Sequence, residues 1–137
     1  MESYLLDTNI WIEAFRGNPR IVAALDALAP ENLTLSNIVL GELLVGAYKN
    51  PSSSELQKIY RLRDTYRNLA VSDRTAHEYA SIRVALEAKG TPIGRNDLWI
   101  AAQALEHGLT LVTHNVTEFG RVPTLKVTDW SASVSGQ

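Results

Sequence analysis

Residues 94–113 have the sequence GRNDLWIAAQALEHGLTLVT, a helical pattern followed almost at once by a strand pattern. Apolar residues recur at helical spacing over 98–105, and Gly108 ends the helix before the apolar run 109–112. A helix joined to a strand by so short a turn is typical of α/β proteins. The stretch also places an acid, Asp97, at the start of the helix and therefore near an edge of the sheet that the strand joins.

Other short apolar runs, separated by helical patterns, occur along the rest of the chain. They predict strands near residues 4, 34, 70, 111 and 126. Because these strands alternate with helices, we expect an α/β fold with a mainly parallel central sheet of about five short strands. The 137 residues have the length of one domain. We place this single domain at residues 1–130 and a flexible tail at residues 131–137.

Composition excludes several kinds of protein. The chain has no cysteine, which excludes disulfides, thiolate zinc sites and cysteine nucleophiles and favours a reducing compartment. Its formal net charge of −2 argues against broad, non-specific binding to nucleic acid. No run approaches the roughly 18 apolar residues that a membrane helix needs. We therefore expect a cytoplasmic protein with no membrane partner.

Four acidic residues lie at predicted strand ends or on helices that begin near them: Asp7, Glu42, Asp97 and Glu118. In a parallel sheet the carboxyl ends of the strands lie along one edge, so we expect these carboxylates to converge. Two carboxylates about 4 Å apart repel each other by roughly 4 kcal/mol at an effective dielectric constant of 20. A divalent cation removes this cost, and oxygen ligands suit Mg²⁺ or Mn²⁺ better than zinc. The pattern predicts metal-dependent phosphoryl or phosphodiester chemistry.

For two of these acids the residues alone leave a simpler interpretation open. One of Asp7, Thr8 and Asn9 can cap the helix that follows the first strand. A single glutamate on a helix, such as Glu42, is more often a solvated surface residue. The apolar residues on both sides of Glu42 leave little polar face for it, which favours a functional carboxylate.

Four short motifs resemble those of PIN-domain ribonucleases, and most closely those of the VapC toxin branch. They are LLDTNI at 5–10, GEL at 41–43, NDLWIAA at 96–102 and THNVTEF at 113–119. The resemblance covers nearly the whole chain. It implies a three-layer α/β/α sandwich and an endoribonuclease, dependent on Mg²⁺ or Mn²⁺, that cuts structured RNA such as tRNA or ribosomal RNA. It also implies a cognate VapB-type antitoxin, a homodimer and higher toxin–antitoxin assemblies.

The resemblance also implies roles for individual residues. The catalytic and metal-binding carboxylates would be Asp7, Glu42, Asp97 and, directly or through water, Glu118. Side chains that support them would be Thr8, Asn9, Ser36, Thr113 and Asn115. His114 departs from the family pattern, which often has Asn or Arg there, so we expect it at the rim of the site, in contact with RNA or in a structural role.

Three arginines are candidate contacts to RNA phosphates. Arg16 and Arg20 follow the first predicted helix, and Arg95 lies beside Asp97. Guanidinium groups bind phosphate oxygens in a bidentate manner, which suits this role.

Other proteins also place acids at the ends of parallel strands. A receiver-like module would have paired acids after the first strand and a lysine after the strand that ends near Thr113, and neither is present. An aspartyl-phosphate phosphatase would have a second aspartate two residues after Asp7, where Asn9 stands. A PIN-like domain that has lost catalysis and serves only as an interaction module stays open, although all four acids are present.

Overall fold

A sheet of parallel strands runs through the centre of the protein, whose computed structural model describes residues 2–131. Its five strands are β1 (Tyr4–Leu6), β2 (Leu33–Ser36), β3 (Arg67–Leu69), β4 (Thr110–Val112) and β5 (Val127–Thr128). They lie in the order β3-β2-β1-β4-β5, and every pairing is parallel. The expected α/β fold with a mainly parallel sheet of about five short strands is confirmed.

Helices flank this sheet. Within the described residues they are α1 (Thr8–Phe15), α2 (Pro19–Asp26), α3 (Asn37–Lys49), α4 (Glu55–Thr65), α5 (Asp73–Ala88), α6 (Arg95–Glu106) and α7 (Val116–Phe119). A single 3-10 turn, Pro30–Asn32, precedes β2. None of the helices within residues 2–131 combines the length and the apolar character needed to cross a bilayer.

The central strands are buried on both faces, as parallel strands covered by helices must be. All four residues of β2 and all three of β4 are buried. The third strand lies slightly earlier than its predicted position near residue 70, since the exposed Ala70 and Val71 lie outside it. Of the predicted tail at 131–137, only Ser131 lies within the described residues, and the domain limits stay a prediction.

The turn between α6 and β4 has the geometry that the sequence predicted. Gly108 has a φ angle of +64°, a conformation that costs glycine little. Its N–H donates to the Leu105 carbonyl at 3.3 Å, and the Leu109 N–H donates to the Ala104 carbonyl at 2.8 Å. These two bonds form a Schellman motif, which ends the helix and directs the chain into β4.

Helix α6 is the most deeply buried of the helices and carries one buried polar side chain, Gln103. The Ser36 hydroxyl donates to Gln103 Oε1 at 2.5 Å, and Gln103 Nε2 donates to the Leu69 carbonyl at 3.2 Å. Ser36 ends β2 and Leu69 ends β3, so one amide links α6 to the carboxyl ends of two neighbouring strands.

Replacing Gln103 with leucine is expected to lower the free energy of unfolding by about 2–4 kcal/mol, because the buried Ser36 hydroxyl and Leu69 carbonyl lose this partner. Urea denaturation measures the change. The matched control is Gln57→Leu at an exposed position of α4. A loss below about 0.5 kcal/mol, the range of ordinary surface substitutions, would show that the link does not stabilise the fold.

Candidate active site

The four predicted carboxylates come together at the carboxyl edge of the sheet. Asp7 follows β1 directly, Glu42 lies on α3, Asp97 in the first turn of α6 and Glu118 on α7. The pKa of Asp97 is raised to about 6, first by burial of the carboxyl group and then by the negative charges of Asp7, Glu42 and Glu118. Since the charges of three other carboxylates act on Asp97, the four acids share one site.

Asp7 is buried and caps the following helix. Its Oδ1 accepts the Thr8 N–H at 2.8 Å, and its Oδ2 accepts the Thr113 hydroxyl at 2.8 Å. Burial raises the pKa of Asp7, against the opposing effect of these two bonds. The simpler interpretation of Asp7 as a helix cap is therefore confirmed, and the same side chain stands among the converging acids.

Glu42 is half-buried and bonded on both carboxylate oxygens, so it is not a solvated surface residue. The Thr8 hydroxyl donates to Oε1 at 2.5 Å, and the Asn96 amide donates to Oε2 at 3.3 Å. Thr8 thus contacts Asp7 through its backbone and Glu42 through its side chain. Asn96, which lies beside Asp97 in the motif NDLWIAA, was not among the predicted site residues.

The remaining supporting residues differ from one another in what they contact. The Asn115 N–H donates to Thr113 Oγ1 at 3.0 Å and so holds the hydroxyl that binds Asp7. Asn9 is exposed on α1. Ser36 does not bond a carboxylate: its hydroxyl donates to Gln103 and accepts the N–H groups of Ile38 and Val39 at the start of α3. The resemblance implied a supporting role for Ser36 at the site, but its side-chain partner, Gln103, comes from a distant helix.

Two of the four candidate RNA contacts bind the protein itself. His114 Nε2 bonds the Glu13 carboxylate, and Nδ1 lies 3.1 Å from Asp129 Oδ1. Arg20 Nη1 donates to the Ser131 carbonyl at 3.1 Å. The other two candidates, Arg16 at the end of α1 and Arg95 at the start of α6, have exposed side chains.

The donor set of this site fits a hard divalent cation. Every charge that raises the Asp97 pKa is a carboxylate, and within residues 2–131 neither Asp97 nor Glu118 accepts a hydrogen bond that would offset the repulsion. Carboxylate oxygens are the ligands that Mg²⁺ and Mn²⁺ prefer. Over the described residues, no three acidic or histidine side chains are already arranged to hold an ion, so binding requires their side chains to draw closer.

Comparison with known proteins identifies the family. Residues 4–125 match the model of the PIN domain. The chain belongs to the PIN domain family. It is 36% identical over 131 residues to ribonuclease VapC1 of Haemophilus influenzae, a match that covers 93% of this chain and 98% of that protein. It is 32% identical to the tRNA(fMet)-specific endonuclease VapC of Salmonella typhimurium, with 95% of this chain and 99% of that protein covered.

Solved structures agree with this assignment. The PIN domain superimposes on a chain of VapBC2 from Rickettsia felis, bound to a DNA fragment from its promoter, with a TM-score of 0.82 and 35% identity. That match covers 93% of this chain and 98% of the other. The resemblance to VapC ribonucleases and the expected sandwich are confirmed, and the PIN domain described here belongs to the VapC branch.

The pKa of Asp97 predicts how the stability of the metal-free protein depends on pH. A carboxyl group whose pKa is raised in the folded state stabilises the fold fully below pH 3.8, and this stability is lost as the pH rises through about 6. Asp97→Asn has no ionisable group at this position, so the variant does not lose this stability as the pH rises. Allowing for solvent screening of a half-exposed group, we expect the metal-free variant to melt about 2–4 °C above the wild type at pH 7.

Thermal melts in chelator between pH 4 and pH 7 measure this effect. The control is Asp64→Asn, at an exposed position of α4, which is expected to leave the pH profile unchanged. A variant at Asp97 that melts below the wild type at pH 7 would mean that the carboxylates do not repel one another in the folded protein.

Proposed function

We propose that this PIN domain is a metal-dependent endoribonuclease toxin that hydrolyses phosphodiester bonds in structured RNA and is neutralised by a cognate antitoxin. The observation that carries the proposal is the convergence of four carboxylates, where burial and then the charges of the other three acids raise the pKa of Asp97. Its relatives at 36% and 32% identity are named as a ribonuclease and an endonuclease.

The four acids would hold the cation. VapC nucleases with a PIN domain generally depend on a divalent metal ion. Here Mg²⁺ or Mn²⁺ would be held by Asp7, Glu42 and Asp97, with Glu118 binding directly or through water. Such an ion activates water and stabilises negative charge on a phosphate under attack.

The neutral side chains of the site would keep the acids oriented. The Thr8 N–H donates to one oxygen of Asp7 and the Thr113 hydroxyl to the other, which leaves each oxygen a further lone pair for a ligand. Thr8 and Asn96 hold the two oxygens of Glu42 in the same way. Donors of this kind typically change metal affinity or activity by about 10-fold to 100-fold when removed.

We take tRNA as the first candidate substrate and ribosomal RNA as the second. The support for tRNA is the relative from Salmonella typhimurium, which is named for cleavage of tRNA(fMet). Hydrolysis by an activated water needs no ribose 2′-hydroxyl as nucleophile. Attack of the water on phosphorus, with departure of the ribose 3′ oxygen as the leaving group, would give a 5′-phosphate and a 3′-hydroxyl.

A VapB-type antitoxin is the proposed protein partner. Chains of similar structure, at 35% identity, come from VapBC complexes of Haemophilus influenzae and Rickettsia felis. We also propose a homodimer, assembled with the antitoxin into a larger complex, that acts in the cytoplasm where its RNA substrates are.

The central test is cleavage of end-labelled total tRNA and ribosomal RNA by the antitoxin-free protein, with Mg²⁺, with Mn²⁺ and with chelator. We expect discrete products that need the metal and lack a 2′,3′-cyclic phosphate. Asp7→Asn and Asp97→Asn are each expected to keep the fold and to lower the rate at least about 100-fold, since each removes a metal ligand.

The matched control is Asp26→Asn at an exposed position of α2, with wild-type cleavage expected. Normal cleavage by Asp97→Asn, or cleavage in chelator, would overturn the metal-dependent mechanism. A folded protein that binds Mn²⁺ but cuts neither RNA pool would instead support the catalytically silent interaction module.

Arg95 is the proposed phosphate contact next to the acids. In the inactive Asp97→Asn background, Arg95→Gln is expected to weaken RNA binding and to reduce the slope of log affinity against log salt by about one, because one phosphate contact is lost. Fluorescence anisotropy over a salt series measures both. Arg61→Gln, on the basic helix α4, is the comparison. A larger loss of RNA affinity in Arg61→Gln than in Arg95→Gln would indicate that RNA binds along α4.

A further inference from the structure

The ring of His114 lies between two carboxylates. Its Nε2 bonds Glu13, and its Nδ1 lies 3.1 Å from Asp129 Oδ1 and 2.9 Å from the Ser131 hydroxyl. Both ring nitrogens therefore have a polar partner within the protein. We call these residues, His114, Glu13, Asp129 and Ser131, the His114 clamp.

The clamp joins parts of the fold that are distant in the chain. Glu13 lies on α1, His114 follows β4, and Asp129 follows β5. Each acid is held by further bonds: Glu13 Oε1 accepts the Asn18 amide at 3.3 Å, and Asp129 Oδ1 accepts the Ser131 N–H at 2.9 Å and its hydroxyl at 2.7 Å. The imidazole therefore contacts two carboxylates, each of which accepts further hydrogen bonds within the protein.

A second contact links the segment after β5 to the helix α2. Arg20, on α2, donates to the Ser131 carbonyl at 3.1 Å. The segment after β5 is thus tied to α1 through His114 and to α2 through Arg20.

His114 lies inside the turn that orients the acid site. The residue before it, Thr113, donates to Asp7 Oδ2 at 2.8 Å, and the residue after it, Asn115, donates its N–H to Thr113 Oγ1 at 3.0 Å. Asn115 is also the N-cap residue of α7, which carries Glu118. Its side chain makes no capping bond, and its carbonyl accepts the Phe119 N–H at 3.2 Å, so the turn 113–115 leads directly into this four-residue helix.

We propose that His114 is a positioning residue: held by Glu13 and Asp129, it fixes the turn 113–115 and thereby sets Asp7 and Glu118 for metal binding. This inference rests on the proposed metal site. Of the two roles expected for His114, contact with RNA or a structural role, it develops the second, because both ring nitrogens have partners within the protein.

The test compares His114→Ala, which removes the ring's contacts to Glu13, Asp129 and Ser131, with His114→Arg, whose planar guanidinium offers several donors to the same two carboxylates. His77→Ala, at an exposed position of α5, is the matched control. Three quantities are measured: hydrogen exchange of the amides in 113–119, the Mn²⁺ dissociation constant by calorimetry, and kcat and KM for RNA cleavage.

For His114→Ala we expect faster exchange within 113–119, a Mn²⁺ dissociation constant raised about 10-fold and a lower kcat with little change in KM. His114→Arg should restore much of the Mn²⁺ affinity, and His77→Ala should match the wild type. Glu13→Gln, which weakens one contact of the clamp, should change hydrogen exchange and Mn²⁺ affinity by an intermediate amount. If His114→Ala does not fold, the test uses Glu13→Gln in its place.

Two results would overturn the proposal. One is unchanged exchange and unchanged Mn²⁺ affinity in His114→Ala, or in Glu13→Gln where that variant decides. The other is a raised KM with normal Mn²⁺ affinity, which would make His114 an RNA contact. If the wild type neither binds Mn²⁺ nor cleaves RNA, the proposed function fails, and exchange within 113–119 still judges whether His114 positions the turn.

Discussion

Repulsion among carboxylates at one edge of a parallel sheet is the constraint on which this structure depends. Parallel strands direct their carboxyl ends to the same edge, so residues that follow different strands meet there. Asp7 follows β1, and α3 and α6 bring Glu42 and Asp97 to the same place. The unfavourable charge is visible in the raised pKa of Asp97, to which three other acids contribute after burial.

Neutral hydrogen-bond donors offset this repulsion for two of the four acids. Asp7 receives a backbone N–H and a threonine hydroxyl, and Glu42 receives a hydroxyl and an amide. Within residues 2–131, Asp97 and Glu118 receive none. Two acids are thus oriented in advance and two keep all their lone pairs, an arrangement that suits a cation able to draw the second pair in.

Sequence patterns predicted the strands to within about three residues and selected the acids that converge. They were less informative where a side chain's partner is distant in the chain. Ser36 looked like a support for the acids, but it bonds Gln103, which is 67 residues away. His114 was expected at the rim, in contact with RNA or in a structural role, but its bond to Glu13, which is 101 residues away, was not predicted. Such pairs follow from helix packing, which local patterns do not encode.

The sequence by itself determined the α/β class, the parallel sheet, the family and the four acids, because apolar periodicity and short motifs are local properties of the chain. Only the tertiary structure decided which donors hold each acid, that Asn96 belongs to the site, and that His114 and Arg20 are tied to the segment after β5. A hydrogen bond requires a donor–acceptor distance that is correct to within a few tenths of an ångström. Between groups far apart in sequence, such distances arise only once the helices have packed on the sheet.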